Sequence, residues 1–296
     1  MSPKLKPLVL INRGGGSAGD DAVKRVRSAL AAARFDATVK AVEGSETAKH
    51  AAAAVKQGIG LIVAAGGDGT MSAIAGALSG TRTVMGLLPM GTLNHLARDL
   101  GIPTDLDEAA ALLAAGKTRK IDLAELNGRA FVNNSAIGLY PLMVIDREAQ
   151  QERLGRSKKL AMVVASVRAL VRFRHQRLSL TVNDEEKRID TPLLFVGNND
   201  YRTDIAGAGQ RESISGGHLS VLVMRHNTRR GLVTAAIRAL FNRARSDDMI
   251  RLDNVERLRV DANRQSLAVS LDGEVLQQST PLDYRIRKGA LTVIAP

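Results

Sequence analysis

Residues 60–70 read Gly-Leu-Ile-Val-Ala-Ala-Gly-Gly-Asp-Gly-Thr. The run from Gly60 to Ala65 is continuously apolar, as expected of a strand buried on both faces, and such strands belong to parallel sheets covered by helices. It ends on a glycine loop, and from Met71 to Leu78 the pattern turns helical. Strand, glycine loop and helix make one step of an α/β fold. The step recurs on either side. Upstream, Leu8 to Ile11 leads through Asn12-Arg13-Gly14-Gly15-Gly16-Ser17 to a helix opened by Asp20, and a strand at Ala37 to Val42 precedes an Ala-rich helix at Thr47 to Val55. Downstream, Val84 to Leu88 runs through Pro89-Met90-Gly91-Thr92 into a helix near Asn94. Residues 1–125 are therefore predicted to form an open, mostly parallel sheet with helices on both faces. Ligands of such sheets bind at the carboxyl ends of the strands, where the three glycine loops fall.

Beyond Ile121 the rhythm changes to short alternating strands: Ile121 to Leu126, Phe131 to Ile137, Leu178 to Val182, Leu193 to Val196, Leu219 to Met224, Leu258 to Val260, Leu267 to Leu271, Tyr284 to Ile286 and Leu291 to Ile294. Turn signals at Asn127-Gly128, Asn183-Asp184 and Asp272-Gly273 separate several of them. This spacing predicts a mainly antiparallel β-sandwich over residues 126–296, interrupted by two basic helical segments.

Composition narrows the chemistry. The 296 residues lack cysteine, which excludes disulfides, thiolate metal sites and thiol nucleophiles and fits a reducing compartment. The five histidines are scattered and form no HExxH pair, which argues against a zinc hydrolase. No window reaches the ~18 apolar residues of a membrane span, and Leu8 to Ile11 is too brief for a signal segment, so a cytoplasmic location is expected. The net charge of +12 is local: residues 147–177 carry +7 and residues 225–245 carry +6, whereas residues 1–125 hold 15 basic and 12 acidic side chains. Aromatic residues are only 3% and tryptophan is absent, which disfavours a nucleic-acid stacking surface. The basic segments fit peripheral contact with an anionic membrane, or a plain solvated face.

The glycine loops match neither GxGxxG nor GxxxxGK[ST]. Taken alone, Gly67-Asp68-Gly69 reads as a tight turn with an aspartate cap, and Asp272-Gly273 as a type I′ hairpin. Four stretches in order change that reading: GGDGT at 66–70, LPMGTLNHLARDLGIP at 88–103, IDLAELNG at 121–128 and LDGE at 271–274. With these the chain resembles the diacylglycerol-kinase catalytic family of bacterial lipid kinases and sphingosine kinases, distantly similar to NAD kinases and phosphofructokinases. The resemblance implies an ATP-dependent, magnesium-requiring lipid kinase that transfers the γ-phosphate to a hydroxyl of diacylglycerol or a related lipid. It also implies that Gly66, Gly67, Asp68, Gly69 and Thr70 wrap the nucleotide phosphates, with Asp68 at the metal. Asn12, Gly14 and Gly15 belong to the first nucleotide loop; Gly91, Thr92 and Asn94 belong to the second. Asp272 is implied as the general base for the lipid hydroxyl, with Glu274 beside it, and Asp68, Asp272 and Glu274 together form the catalytic set.

Three positions depart from the family pattern. His95 stands where an aspartate is usual, with Asp99 one turn later. Arg13 stands in place of proline, either facing phosphate or facing solvent. Ser215-Gly216-Gly217-His218 lacks the aspartate that in many bacterial members ligates a structural magnesium. Asn198, Asn199 and Tyr201 lie at a strand end, either as a turn or as cleft lining. Two other functions stay open. NAD kinase shares GGDGT, but its paired Asn-Glu segment is missing, Asn133-Asn134-Ser135 being the nearest approach. A non-catalytic nucleotide- or lipid-binding regulator would explain His95 and Gly216-Gly217. Neither the identity of the lipid nor the oligomeric state, with a homodimer left open, follows from the sequence.

Overall fold

Strands β1 (Leu8–Asn12), β2 (Thr38–Val42), β3 (Leu61–Gly66) and β4 (Val84–Pro89) pair in parallel in the order β2-β1-β3-β4. Ile62, Val63, Ala64 and Ala65 of β3 and Met85, Leu87 and Leu88 of β4 are all buried, because helices cover both faces, and this is why these strands read as unbroken apolar runs. The computed structural model describes residues 5–13, 20–154, 161, 164–165, 168, 175–182, 184–201, 211–225, 228, 231–232, 234 and 248–296.

The helices are α1 (Asp20–Ala32), α2 (Thr47–Lys56), α3 (Asp68–Leu78), α4 (His95–Asp99) and α5 (Leu106–Ala115). Helix α3 starts at Asp68, three residues before the predicted Met71, so Asp68, Gly69 and Thr70 are its first turn and not a loop ahead of it. Helix α5 is absent from the sequence expectation although its signals are present. The Asp105 carboxylate accepts from the amides of Asp107 and Glu108, and Gly116 ends the helix in the left-handed region.

The remaining elements are β5 (Thr118–Leu126), β6 (Arg129–Phe131), β7 (Asn134–Gly138), α6 (Leu139–Leu154), β8 (Gln176–Val182), β9 (Glu185–Thr191), β10 (Leu193–Asn198), β11 (Leu219–Met224), β12 (Met249–Val255), β13 (Arg257–Ala262), β14 (Ser266–Leu271), β15 (Glu274–Ser279) and β16 (Leu282–Ile294). An antiparallel sheet runs β12-β11-β10-β7-β14-β15. The other layer of the sandwich is built on β13, which pairs with the start of β16 and with β8, and β8 in turn pairs with β9. Inside it Tyr284 is buried, with its hydroxyl 3.0 Å from Ser135 Oγ, and burial pushes the phenol pKa well above its usual value.

The fold is thus an α/β domain with a mostly parallel sheet, followed by an antiparallel β-sandwich. Two compact units emerge, one from Met1–Leu123, Arg129–Val132 and Arg287–Pro296, the other from Ala124–Gly128 and Asn133–Ile286. A linear division into 1–125 and 126–296 leaves out the return of the C-terminus to the first unit. Thr292 and Val293 pair in parallel with Val84 and Met85, closing the edge that β4 would otherwise expose.

Two further differences have local causes. The predicted strand Phe131 to Ile137 is broken into β6 and β7, because the backbone amides of Asn133 and Asn134 turn to a carboxylate far along the chain. The predicted strands Tyr284 to Ile286 and Leu291 to Ile294 are one continuous β16. Asn183 and most of the two basic segments lie outside the described residues. Among those described, no helix is long and apolar enough to cross a membrane.

Candidate active site

In the first unit, five of the predicted positions, Asn12, Gly66, Gly67, Thr70 and Gly91, meet at the ends of β1, β3 and β4. Asn12 closes β1 and its Nδ2 donates to Thr70 Oγ1 at 3.3 Å; Thr70 itself is buried in the first turn of α3. A Cβ on Gly66 would lie 2.5 Å from Thr70 Oγ1, so only glycine lets the strand end sit over that hydroxyl. Gly67 and Gly91 are in backbone contact: a Cβ on Gly91 would fall 2.5 Å from the Gly67 Cα. Gly69 is exposed and a Cβ there would meet nothing within 4 Å.

Asp68 sits at the N-terminal end of α3, where the partial positive charge of the helix favours its carboxylate and any anion bound there. Its Oδ1 is buried and has no hydrogen-bond partner in the protein. A buried carboxylate oxygen left unsatisfied is costly unless a ligand completes it. Asp68 therefore holds a buried carboxylate oxygen with an unfilled coordination direction, which fits a metal ion.

Asn94 is buried and left-handed, with φ 49°. Its Oδ1 accepts from the Gly91 amide at 2.9 Å and its Nδ2 donates to the Gly91 carbonyl at 2.9 Å. The side chain thus locks the turn that exposes Gly91 and Thr92, rather than presenting its amide outward. Beside this turn lies a cavity of about 510 Å³ lined by Arg25, Met90, Thr92, Arg98 and Thr104 among others. Two guanidinium groups and an exposed glycine turn suit a polyanionic ligand. Arg25 comes from α1 and Arg98 from α4; Arg98 lies within the stretch 88–103, but the sequence reading gave neither arginine a role. Gly14 and Gly15 lie outside the described residues. Arg13 and His95 are exposed.

In the second unit, Asp272 and Gly273 form the two-residue turn between β14 and β15, with Leu271 paired to Glu274. Both turn residues have positive φ, 48° and 89°, as a type I′ hairpin requires. The turn reading and the functional reading meet in one residue. Asp272 Oδ1 accepts from the amides of Asn133 at 2.7 Å and Asn134 at 3.1 Å, while its own amide donates to the Asn134 carbonyl at 2.8 Å. Two converging N–H groups fix one carboxylate oxygen in place. Glu274 is exposed at the start of β15. Asn198, Asn199 and Tyr201 are buried, with the Tyr201 hydroxyl donating to the Asn133 carbonyl at 2.9 Å. Arg211 Nη2 donates to Asn133 Oδ1 at 3.0 Å and its guanidinium lies 5.8 Å from the Tyr201 ring centre. This strand end is not an exposed surface turn; it braces Asn133 behind Asp272.

Comparison with known proteins agrees with this geometry. Residues 6–126 match the diacylglycerol kinase catalytic domain, and residues 143–295 match the YegS C-terminal NAD kinase beta sandwich-like domain. A protein of Chromohalobacter salexigens named "Probable lipid kinase YegS-like" is 29% identical over 265 residues, covering 86% of this chain and 82% of that one. The diacylglycerol kinase of Bacillus subtilis is 26% identical over 248 residues, covering 82% of this chain and 80% of its own length. The crystal structure of a diacylglycerol kinase from Bacillus anthracis superposes with a TM-score of 0.74 at 21% identity, covering 100% of this chain and 99% of that one, which establishes the shared fold. With an α/β domain that gathers two glycine loops around an unsatisfied aspartate, and a sandwich that carries a braced hairpin aspartate, the chain belongs to the diacylglycerol-kinase-like lipid kinase family with a YegS-type C-terminal domain.

Proposed function

We propose that the protein is an ATP-dependent lipid kinase that transfers the γ-phosphate to a hydroxyl of diacylglycerol or a related lipid. The observation that carries this reading is the buried, unpartnered Oδ1 of Asp68 at the meeting of two glycine loops, in a chain of this family. Magnesium, when bound, would neutralise phosphate charge, and Asp68 is the residue that would hold it. Amides of the loops at 66–70 and 91–92 cradle the phosphates, and Arg25 and Arg98 attract them. Asp272 takes the proton of the attacking hydroxyl, its second carboxylate oxygen acting while the first is held by the Asn133 and Asn134 amides.

Support for approach to a membrane comes from α6. Leu142 and Ile145 are 42% and 44% exposed on this helix, which leads into the basic segment beginning at Arg147. Exposed apolar side chains followed in the sequence by a run of arginines and lysines suit a peripheral contact with anionic lipid, made from the cytoplasmic side.

Protein incubated with labelled ATP, magnesium and vesicles holding diacylglycerol or a long-chain base is expected to release labelled phospholipid. The initial rate should rise with anionic lipid and fall with salt. NAD in the same panel should remain unphosphorylated. ATP binding without turnover on any lipid would instead favour a non-catalytic regulator. A second expectation concerns the cavity beside Gly91. Arg98→Ala should weaken ATP binding by roughly tenfold in calorimetry, the loss of one charge-assisted phosphate contact, with unfolding temperature unchanged.

A further inference from the structure

The segment Ser215-Gly216-Gly217-His218 leads into β11 where the family resemblance implies a structural magnesium, and the residues present do not fit one. Among the described residues no group of three or more acidic or histidine side chains is arranged to hold a metal. An ionic cluster stands there instead. Asp200, just beyond β10, accepts at Oδ1 from Arg251 Nη2 on β12, and its Oδ2 lies 2.6 Å from His218 Nε2. The other ring nitrogen, His218 Nδ1, lies 2.9 Å from the Gly216 carbonyl, so both nitrogens of the ring face acceptors. Arg251 Nε also pairs with Asp253 Oδ1 at 2.9 Å. Asn199 Oδ1, the neighbouring oxygen, already accepts from the Gly217 amide at 2.9 Å. The Asp200, His218 and Arg251 side chains are 18%, 22% and 33% exposed, so water screens them only in part.

A divalent cation needs several oxygens with lone pairs to give and is repelled by a guanidinium on the same carboxylate. We propose that the Arg251 guanidinium, with His218, occupies the place of that structural cation, so that the second unit is closed by an internal charge and not by a metal. Three stretches meet at the clamp: the end of β10, the lead into β11, and β12. The same end of β10 holds the brace of the hairpin aspartate, since the Asn198 amide and the Tyr201 hydroxyl both donate to the Asn133 carbonyl at 2.9 Å. The clamp therefore lies one contact behind Asn133, whose amide holds Asp272.

The test reads thermal unfolding of the full chain without nucleotide, in EDTA and in millimolar Mg2+, for the wild type and for Asp68→Asn, which removes the carboxylate assigned to the other cation. Midpoints within about 1 °C of each other are expected in both proteins. Arg251→Met should lower the midpoint by roughly 4 °C or more, and Mg2+ should not restore it. A rise of several degrees with Mg2+ in Asp68→Asn would overturn the proposal. So would a divalent ion retained by Asp68→Asn through gel filtration and detected by elemental analysis, or an Arg251→Met protein as stable as the wild type. Should Arg251→Met fail to fold, the metal readings on the other two proteins decide. None of these measurements uses turnover, so the result stands apart from the kinase reading.

Discussion

Asp272→Asn is expected to lower the rate of lipid phosphorylation by about 10²- to 10⁴-fold, the range for losing a positioned general base, while leaving the fold in place. The second half of that statement follows from the local geometry. The hairpin requires a residue that tolerates a φ of 48°, and asparagine is as much at home in the left-handed region as aspartate. The amides of Asn133 and Asn134 need an acceptor, and the asparagine Oδ1 is one. What the substitution removes is the negative charge and the ability to take a proton. Asp272→Ala removes the acceptor as well, leaving two amides without it, and should lower the unfolding temperature in addition. The pair of variants separates the two roles. Equal activity in wild type and Asp272→Asn would assign this residue to the turn alone and move the search for a base to Glu274.

The parts of the fold that were legible are those whose signal is local. The parallel strands of the first unit show as apolar runs because they are buried on both faces, and the glycine loops show because backbone must approach backbone there. The strands that escaped prediction carry no such signal. β9, Glu-Glu-Lys-Arg-Ile-Asp-Thr, is exposed along most of its length and takes its backbone pairing from β8. β12 and β15 likewise alternate weakly, with few buried positions. The break between β6 and β7 depends on Asp272, a partner 138 or 139 residues away, which no periodicity encodes.

The site divides in the same way. Asn12, Asp68, Thr70, Gly91 and Asp272 sit in short motifs and could be named beforehand. Arg25 reaches its cavity from the polar side of an amphipathic helix, and Arg98, although inside the stretch 88–103, is no part of the glycine turn that marked it. The Asp200, His218 and Arg251 cluster joins residues 18 and 51 positions apart, and its only trace in the sequence was an aspartate missing before β11. Asn94 shows a finer limit. Its motif was visible, but the use of both amide groups on Gly91 depends on a left-handed backbone at that one residue.

Gly91→Ala should lower ATP affinity by tenfold or more and destabilise the first unit, whereas Gly69→Ala should lower affinity without destabilising it. Both are glycines of the loops proposed to hold the nucleotide, but they are glycines for different reasons. The added carbon of Gly91→Ala falls 2.5 Å from the Gly67 Cα and 2.8 Å from Asn94 Oδ1. Neither can retreat cheaply: one is backbone at the end of β3 and the other is the side chain that locks the turn. The two loops must separate, and the proposed phosphate cradle at the ends of β3 and β4 widens with them. Around Gly69 there is open space, and the residue lies in the first turn of α3, where alanine is the better helix former by about 1 kcal/mol. The protein itself therefore has no need of glycine at 69. If a phosphate must approach that amide closely, the methyl of Gly69→Ala stands in its way and in nothing else's. Calorimetry with ATP alongside thermal unfolding distinguishes the cases: lost affinity with an unchanged or higher midpoint places the phosphates against Gly69, and undiminished affinity would move them away from the start of α3.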